Sequence, residues 1–499
     1  MRRRKLLKAA GGLAGCMATP YGQVFATGEQ VPTLPRERPN ILVFLSDDHG
    51  RWLQQAYGNS EVKTPTMQRL AQQGVKLTNA YTTSPVCSPA RASFFTGRMP
   101  SQHGIHDWIE ERQAAYKYPW LQGEIILPEL LQAAGYRTGL VGKWHCGAER
   151  VPHKGFDFWF SYWVSQYPHA GTQNFSDQGQ HVMAEGFQAP LLSAQAQRFL
   201  LEGGKEPFFL FVGFTDTHSP HRSMPAELLA EYEHATFCDI PKENFLPVHG
   251  VTQCPVSNRP EVEADKLRQY YAAASSIDRE MGKILDWLDA AGKLDNTCVV
   301  YTSDHGLNAG HHGIWEKGNA TIPQNFFEES IRVPCTIAWP DGGVGSNVTS
   351  ALAVNHCDLF ATLLDVADVQ LDDLTKQKIN SPGRSYLSHL RGLSDAPVRQ
   401  DVICEYGNAR MIVCDQYKLV LRFPFKNRIF GHELYDLRDD PRETTNIFSH
   451  QSQSARIEYM SKKLHDFFKD YHDQLKDGLC LEGQPEATSQ SPWILALSL

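Results

Sequence analysis

The sequence predicts an α/β protein built on one large sheet, followed by a smaller antiparallel unit. Three observations carry that reading. Between residues 40 and 339, short and continuously apolar runs alternate with segments of helical period, as in a sheet covered by helices on both faces. Each of several runs stops abruptly in polar residues: Ser46-Asp47-Asp48-His49, Gly142-Lys143-Trp144-His145, Thr215-Asp216-Thr217-His218 and Thr302-Ser303-Asp304-His305. Such endings put the chemistry at the carboxyl edge of the sheet. After Gly383 the helix–strand alternation weakens and short strands follow one another.

Taken in order, residues 40–45 read as a strand buried on both faces, because nothing polar interrupts Ile41 to Leu45. Residues 64–74 open on Thr64-Pro65 and close on Gly74, a helix with both punctuation marks. A strand over 75–81 leads to the segment around Cys87, and a helix is expected over 92–96 with its N-terminus near that cysteine. A helix over 126–134 precedes a strand over 138–141, and 207–214 is another buried strand. Residues 270–291 carry Ile277, Met281, Ile284, Leu285 and Leu288 on one stripe, an amphipathic helix. Strands are expected over 297–301 and 333–339. Residues 171–190, rich in Gln and Gly, and 236–262 read as loops. Beyond 383, strands over 401–406, 410–414, 418–422 and 433–436 precede a helix over 454–471. The expected division is a catalytic unit over 39–383, an α+β unit over 384–475 and a tail over 476–499.

With 499 residues the chain is long enough for a large core and more than one domain. A net charge of -8 gives no basic footprint for nucleic acid. The N-terminus reads as an export signal over 1–26. Arg2-Arg3-Arg4-Lys5 is a basic start, Ala9 to Gly15 is small and apolar, and the paired arginines are similar to a twin-arginine signal. Two endings are open: Leu13-Ala14-Gly15-Cys16, similar to a lipoprotein box with Cys16 lipidated, or cleavage after Val24-Phe25-Ala26. The second is preferred, since the apolar run before Cys16 is at the lower length limit. Residues 27–38 are a polar leader. The expected address is a bacterial periplasm or cell surface, with membrane contact only through a lipid at Cys16.

Two adjacent carboxylates at a strand end, Asp47 and Asp48, repel one another, and core packing has no use for them. A cation has. The segment Cys87-Ser88-Pro89-Ala90-Arg91, with Thr96-Gly97-Arg98 behind it, is the C-x-P-x-R pattern, and the chain resembles the type I sulfatases, in which that cysteine is oxidised to formylglycine. Leu434-Tyr435-Asp436-Leu437, Asp439-Asp440-Pro441, Glu443 and Asn446 are similar to the C-terminal signature of the same family. The resemblance runs from about Pro39 to about Asn446.

It implies an alkaline-phosphatase-like mixed sheet between helices, a maturation enzyme that makes formylglycine from Cys87, and one bound Ca²⁺. Asp47, Asp48, Asp304 and His305 match the metal ligands, with residue 87 reaching the ion through its hydrate oxygen. His305 stands where the family most often has asparagine, and a nitrogen ligand is softer than the carboxylate oxygens that suit Ca²⁺. By the same resemblance Arg91 holds the hydrate, Lys143 and Lys317 grip sulfate oxygens, His218 protonates the leaving oxygen, and His145 takes the proton that lets sulfate depart. The chemistry asks for such cations, because attack on an anionic ester accumulates negative charge.

The expected substrate is a sulfated carbohydrate. Weaker candidates for sugar contacts are His103, His106, Asp107, Trp108, His153, His169, His221, His311 and His312. Two alternatives stand beside this reading: an aryl-sulfate or phosphoester/phosphonate hydrolase of the same superfamily, and a non-catalytic polysaccharide-binding protein. Of eleven cysteines, the nine besides Cys16 and Cys87 show none of the close spacings of a zinc site. Cys404 and Cys414 flank a hairpin and could bridge.

Overall fold

A computed structural model describes residues 38–111, 114–163, 169–241, 250–395 and 398–499. The expected export signal over 1–26, Cys16 included, and the expected leader up to residue 37 lie outside the described residues. Residues 38–499 form one compact unit, and no helix among the described residues is long and apolar enough to cross a membrane.

The centre of the fold is strand β1 (Asn40–Ser46), in which every residue after Asn40 is buried. In chain order follow α1 (Pro65–Gln73), β2 (Val75–Tyr81), α2 (Cys87–Thr96), α3 (Leu127–Ala133), β3 (Arg137–Gly142) and β4 (Phe158–Tyr162). Next come β5 (Thr172–Asp177), β6 (Gln180–Glu185), α4 (Gln188–Glu202), β7 (Phe208–Phe214), α5 (Pro260–Ala290) and β8 (Thr297–Ser303). Strands β9 (Cys335–Ala338) and β10 (Val348–Asn355) and helix α6 (His356–Val366) complete the large layer. Its ten strands lie in the order β10-β2-β9-β8-β1-β7-β3-β4-β5-β6. The middle of the sheet is parallel, with β1 between β7 and β8, and β9, β5 and β6 run antiparallel to their neighbours. The sheet is mixed, as the resemblance implies.

The unbroken apolar strands follow from two cores. Ile41, Val43 and Leu45 face one layer with Phe94, Phe95 and Phe211. Leu42 and Phe44 face the other with Phe199, Ile277 and Met281. Since successive side chains of a strand point to opposite faces, a strand between two cores is apolar at every position.

The structure departs from the sequence reading in several places. Residues 171–190 contain the hairpin β5–β6 and the start of α4. Its outer strand lies at the sheet edge, largely solvated, so its polar sequence carries no buried-strand signal. Residues 236–262 include the two-residue strand Val251–Thr252 paired with Thr321–Ile322. Helix α5 begins ten residues before the expected 270, because its first turns are mostly solvated and have no apolar stripe. Cys404 and Cys414 do not bridge: Cys404 faces Met411 and Cys414 faces Asp401 across the hairpin, and every described cysteine is free.

The smaller sheet is antiparallel, with strands β11 (Asp401–Tyr406), β12 (Ala409–Cys414), β13 (Tyr417–Arg422) and β14 (Glu433–Asp436) in that order and helix α7 (Ser454–Asp470) across it. Buried ions join it to the large layer. Glu405 accepts from Ser101 N and Oγ at 2.6 Å each. Lys418, 1% exposed, reaches Glu443 and Glu328 at 2.7 Å. Removing one side of a buried ion pair leaves the other charge uncompensated. Lys418→Met is therefore expected to cost about 3–5 kcal/mol in denaturant unfolding. A loss below about 1 kcal/mol would mean that the pair behaves as a surface one.

Candidate active site

The sheet register assembles the site. Ser46 of β1 lies beside Ser303 of β8 and Phe214 of β7, and Gly142 of β3 lies beside Gly213. Asp47-Asp48, Asp304-His305, Thr215 to His218 and Lys143 to His145 consequently leave the sheet at one edge. Asp47 N donates to Phe214 O at 2.9 Å, and Asp304 N donates to Ser46 O at 3.2 Å. Asp48 and His145 both have left-handed backbone, φ 56°, which turns the chain sharply at the strand ends. Tyr270 of α5 and Thr217 hold the carbonyls of Asp48 and Asp47, at 2.5 and 2.6 Å. Neither was legible as a site residue, since the polar atom of a core side chain leaves no periodic trace.

Helix α2 begins at Cys87 itself, after the extended Val86, five residues earlier than the sequence suggests. The thiol thus sits in the first turn, where unpaired N–H groups and the helix dipole favour negative charge. One turn on, Arg91 is fully buried. Its Nε donates to Asp304 Oδ2 and its Nη1 to Lys143 O, both at 2.8 Å. Its Nη2 makes no hydrogen bond, nor does Asp47 Oδ1, 3.8 Å away. Lys143 pairs with the other Asp47 oxygen. Lys317 Nζ donates to both oxygens of Asp48, at 2.5 and 2.8 Å, and lies 3.5 Å from Cys87 Sγ.

Burial alone would raise the Asp47 carboxyl, but Lys143, with His218 and Arg91 behind it, holds it well below the usual carboxylate range. Burial would likewise lower Lys317, yet Asp48 keeps it an ammonium ion. The Cys87 thiol is pushed well up by burial and by Asp47. Left as a thiol, this residue stays protonated and is a poor nucleophile.

One atom each from Asp47, Asp48, Cys87 and His305 lie within 4.8 Å of one another, all buried. Asp304, expected among the ligands, stands outside that group. Arg91 takes its Oδ2, and its Oδ1 accepts from Asp48 N and His305 N. A cation fits the cluster: the carboxylates are buried, and Asp47 Oδ1 has no partner.

The two histidines present opposite nitrogens. His145 Nε2 donates to Ile109 O at 3.1 Å, and its Nδ1 is buried without a partner. His218 Nδ1 donates to Ser219 O at 2.6 Å, and its Nε2 lies 3.3 Å from Lys317 Nζ. Burial, then Lys317 for His218 and Lys143 for His145, holds both imidazoles neutral, well below 6.5.

The residues considered for sugar contacts separate. His169 Nε2 lies 2.9 Å from His218 O. His221 sits between Tyr270 and Trp315 with neither nitrogen bonded. His103 is buried against Ser93, His153 packs between Trp144 and Trp159, and His311 lies on Trp52. His312 pairs with Glu329 and stacks on Phe327. All four are committed to packing or pairing. Trp108 is half-buried, His106 Nε2 donates to Lys476 O, and Asp107 Oδ1 accepts from Tyr406 OH and Trp108 N.

Residues 39–369 match the family model for sulfatases, and residues 310–470 match the model for the C-terminal region of N-sulphoglucosamine sulphohydrolase. The chain belongs to the sulfatase family. It is a sulfuric ester hydrolase. Among its relatives is an N-acetylglucosamine-6-O-sulfatase of Bacteroides thetaiotaomicron, 26% identical over 520 residues and covering 88% of each chain. The sulfatase also shares its fold, at TM-score 0.75 and 23% identity, with a structure solved in complex with its substrate D-glucosamine-2-N,6-O-disulfate; 88% of this chain and 99% of that one are covered. A phosphonate monoester hydrolase of Agrobacterium radiobacter has the same fold, at TM-score 0.67 and 20% identity over 88% of this chain and 96% of that one.

Proposed function

We propose that this sulfatase is an exported enzyme that removes sulfate from sugar units of a sulfated polysaccharide or its oligosaccharides. The observation that supports it best is the convergence of three buried cations, Arg91, Lys143 and Lys317, on a cysteine at a helix N-terminus that its surroundings keep protonated. Such a site is arranged for an anion and for a modified residue 87. Formylglycine there would supply, as its hydrate, a nucleophilic oxygen and a second hydroxyl through which the residue is restored.

Asp47, Asp48, His305 and residue 87 would hold the metal, with Asp304 beside them, oriented by Arg91. A bound divalent ion would add Lewis-acid stabilisation of the developing charge. The protein's own residues do the rest. Lys143 and Lys317 leave their carboxylates in part to bind sulfate oxygens. His218, neutral before substrate binds, takes up a solvent proton at Nε2 as the anionic ester binds and passes it to the departing sugar oxygen, and His145 Nδ1, held as a lone pair by the bond from Nε2 to Ile109 O, receives one. Sugar substrates of relatives, N-acetylglucosamine 6-sulfate among them, support the choice of substrate class. The twin-arginine-like N-terminus supports export.

Sulfate release from a panel of sulfated mono- and oligosaccharides tests this reading. Turnover of phosphonate monoesters in preference to all of them would replace it with the phosphoester alternative. Dialysis against a chelator should suppress activity and lower the unfolding temperature, since an ion that binds only the folded chain stabilises it by mass action. Calcium should restore both, with one equivalent found by elemental analysis. Restoration by zinc alone would favour the phosphoester chemistry.

A further inference from the structure

A group of buried polar side chains adjoins the turn that carries His218: Tyr162, His169, Gln173, Gln188, Thr215 and Asp216. Buried polar groups are costly unless they are bonded to one another, and here the bonds lead toward His218. Gln188, the first residue of α4, donates from Nε2 to Gln173 Oε1 at 2.9 Å and accepts at Oε1 from the Thr215 hydroxyl. Tyr162 OH lies 2.7 Å from that same hydroxyl. Gln188 also holds His169 twice. Its Oε1 lies 2.9 Å from His169 Nδ1, and its backbone N donates to His169 O at 3.1 Å. The opposite ring nitrogen, His169 Nε2, is 2.9 Å from His218 O. A carbonyl only accepts, so Nε2 carries a hydrogen and donates it. Asp216 completes the group: burial pushes its carboxyl up to about 6, and His169 is the strongest influence against that rise.

His218 is held within its turn and from outside it. Its backbone N donates to Thr215 O at 2.9 Å, and its ring Nδ1 donates to Ser219 O at 2.6 Å. Both bonds join near neighbours and travel with the turn. The bond from His169 comes from 49 residues away and ties the turn to α4 and to the residue that follows β7. Ser219 O, which orients the His218 ring, lies one peptide beyond the carbonyl that His169 holds. Rotation of the peptide after His218 would therefore carry the ring with it.

We propose that His169 is a positioning residue for leaving-group protonation: by holding the carbonyl of His218, it aims Nε2 of that ring at the departing sugar oxygen. His169 touches no substrate and passes no proton. The proposal rests on the general-acid role given to His218 above and adds the residue that aims it. A proton donor must be within hydrogen-bond reach of the leaving oxygen, and a displacement of about 1 Å can cost about 10²-fold in rate. An activated phenolate hardly needs the proton, so it should hardly notice the displacement.

Two variants of similar size and polarity test this. In His169→Asn the amide nitrogen stands near the place of Nδ1 and falls short of His218 O, whereas in His169→Gln it stands near the place of Nε2 and can still donate. His169→Asn should lower kcat on a sulfated sugar by about 10- to 100-fold, with KM changed less than about threefold. The same variant should lose less than about threefold on 4-nitrophenyl sulfate. His169→Gln should return kcat on the sugar ester to within about fivefold of the unmutated enzyme. In a His218→Ala background, His169→Asn should cost no more than about twofold further, because residues that act as a unit are not additive. Equal losses on the two esters, indistinguishable Asn and Gln variants, or losses that multiply in the double variant would overturn the proposal and leave His169 a residue of the core. Absence of any leaving-group preference in His218→Ala itself would instead overturn the general-acid reading. The double variant then decides for His169: coupled losses keep it as the residue that positions His218, and multiplied losses remove it.

Discussion

Cys87→Ala and Cys87→Ser are both expected to abolish turnover, by at least about 10⁴-fold on any sulfate ester, the scale of removing a nucleophile. The fold should survive, because both replacements are smaller than a side chain that is buried at the start of α2 and makes no covalent link. The serine variant is the informative one. It keeps a hydroxyl at the helix N-terminus, among Arg91, Lys143 and Lys317, so binding and polarisation of the ester remain. It has one hydroxyl where a hydrate has two, so a sulfate that it accepted would have no intramolecular route out. At most one equivalent of leaving group per chain should appear. Intact mass checks the premise independently, since conversion of Cys87 exchanges sulfur for oxygen and makes the chain lighter. Repeated turnover by Cys87→Ser, or full activity in protein whose Cys87 is an unmodified thiol, would sink the formylglycine mechanism.

The parts of this site that were legible in the sequence are those in which one residue type can serve one purpose. Asp47-Asp48 after five apolar residues has no packing explanation, and the C-x-P-x-R pattern is a motif in contiguous residues. The ends of β1, β3, β7 and β8 could be assigned to one sheet edge because the strands are unbroken apolar runs, and the register then brings their polar endings together. What was not legible depends on partners distant in the chain. Asp304 reads as one more carboxylate ligand. Only the approach of Arg91 from α2 shows that one of its oxygens is already taken. The edge strands of the β5–β6 hairpin bury little, so their composition resembles a loop. The segment from 476 onward has neither period nor motif, yet Trp493 packs against Tyr406 and Asp477 pairs with Arg410, both from the smaller sheet.

The helix N-terminus is the feature that joins fold to function here. Starting α2 at Cys87, not several residues later, puts residue 87 and Arg91 on the same face, one turn apart. The first turn's free N–H groups then face the anion that Lys143 and Lys317 also attract. Each cation is held ready by a carboxylate at a strand end, so the positive charge is in place without being left unpaired in the interior.

The two histidines should separate when the leaving group is varied. His218→Ala is expected to cost roughly 10²–10⁴-fold on a sugar sulfate, the usual size of a general-acid contribution, and far less on an activated aryl sulfate. A sugar alkoxide is a strong base and needs a proton as the S–O bond breaks, whereas an activated phenolate leaves almost unaided. The geometry makes Nε2 the working atom, because Nδ1 is occupied by Ser219 O. Burial and Lys317 keep the ring neutral before substrate arrives, so Nε2 takes up a solvent proton when the negative charge of the ester binds beside it. A series of aryl sulfates of graded leaving-group pKa should accordingly show a steeper dependence in His218→Ala than in the unmutated enzyme. His145→Ala should behave otherwise. Its lone pair is on the buried Nδ1, and its role in sulfate departure is common to every substrate. Losses should be similar on the sugar and aryl esters, with a burst of about one leaving group per chain before the slow phase. Equal losses for His218→Ala on the two ester classes would remove it from the leaving-group role, and a leaving-group dependence confined to His145→Ala would reverse the two assignments.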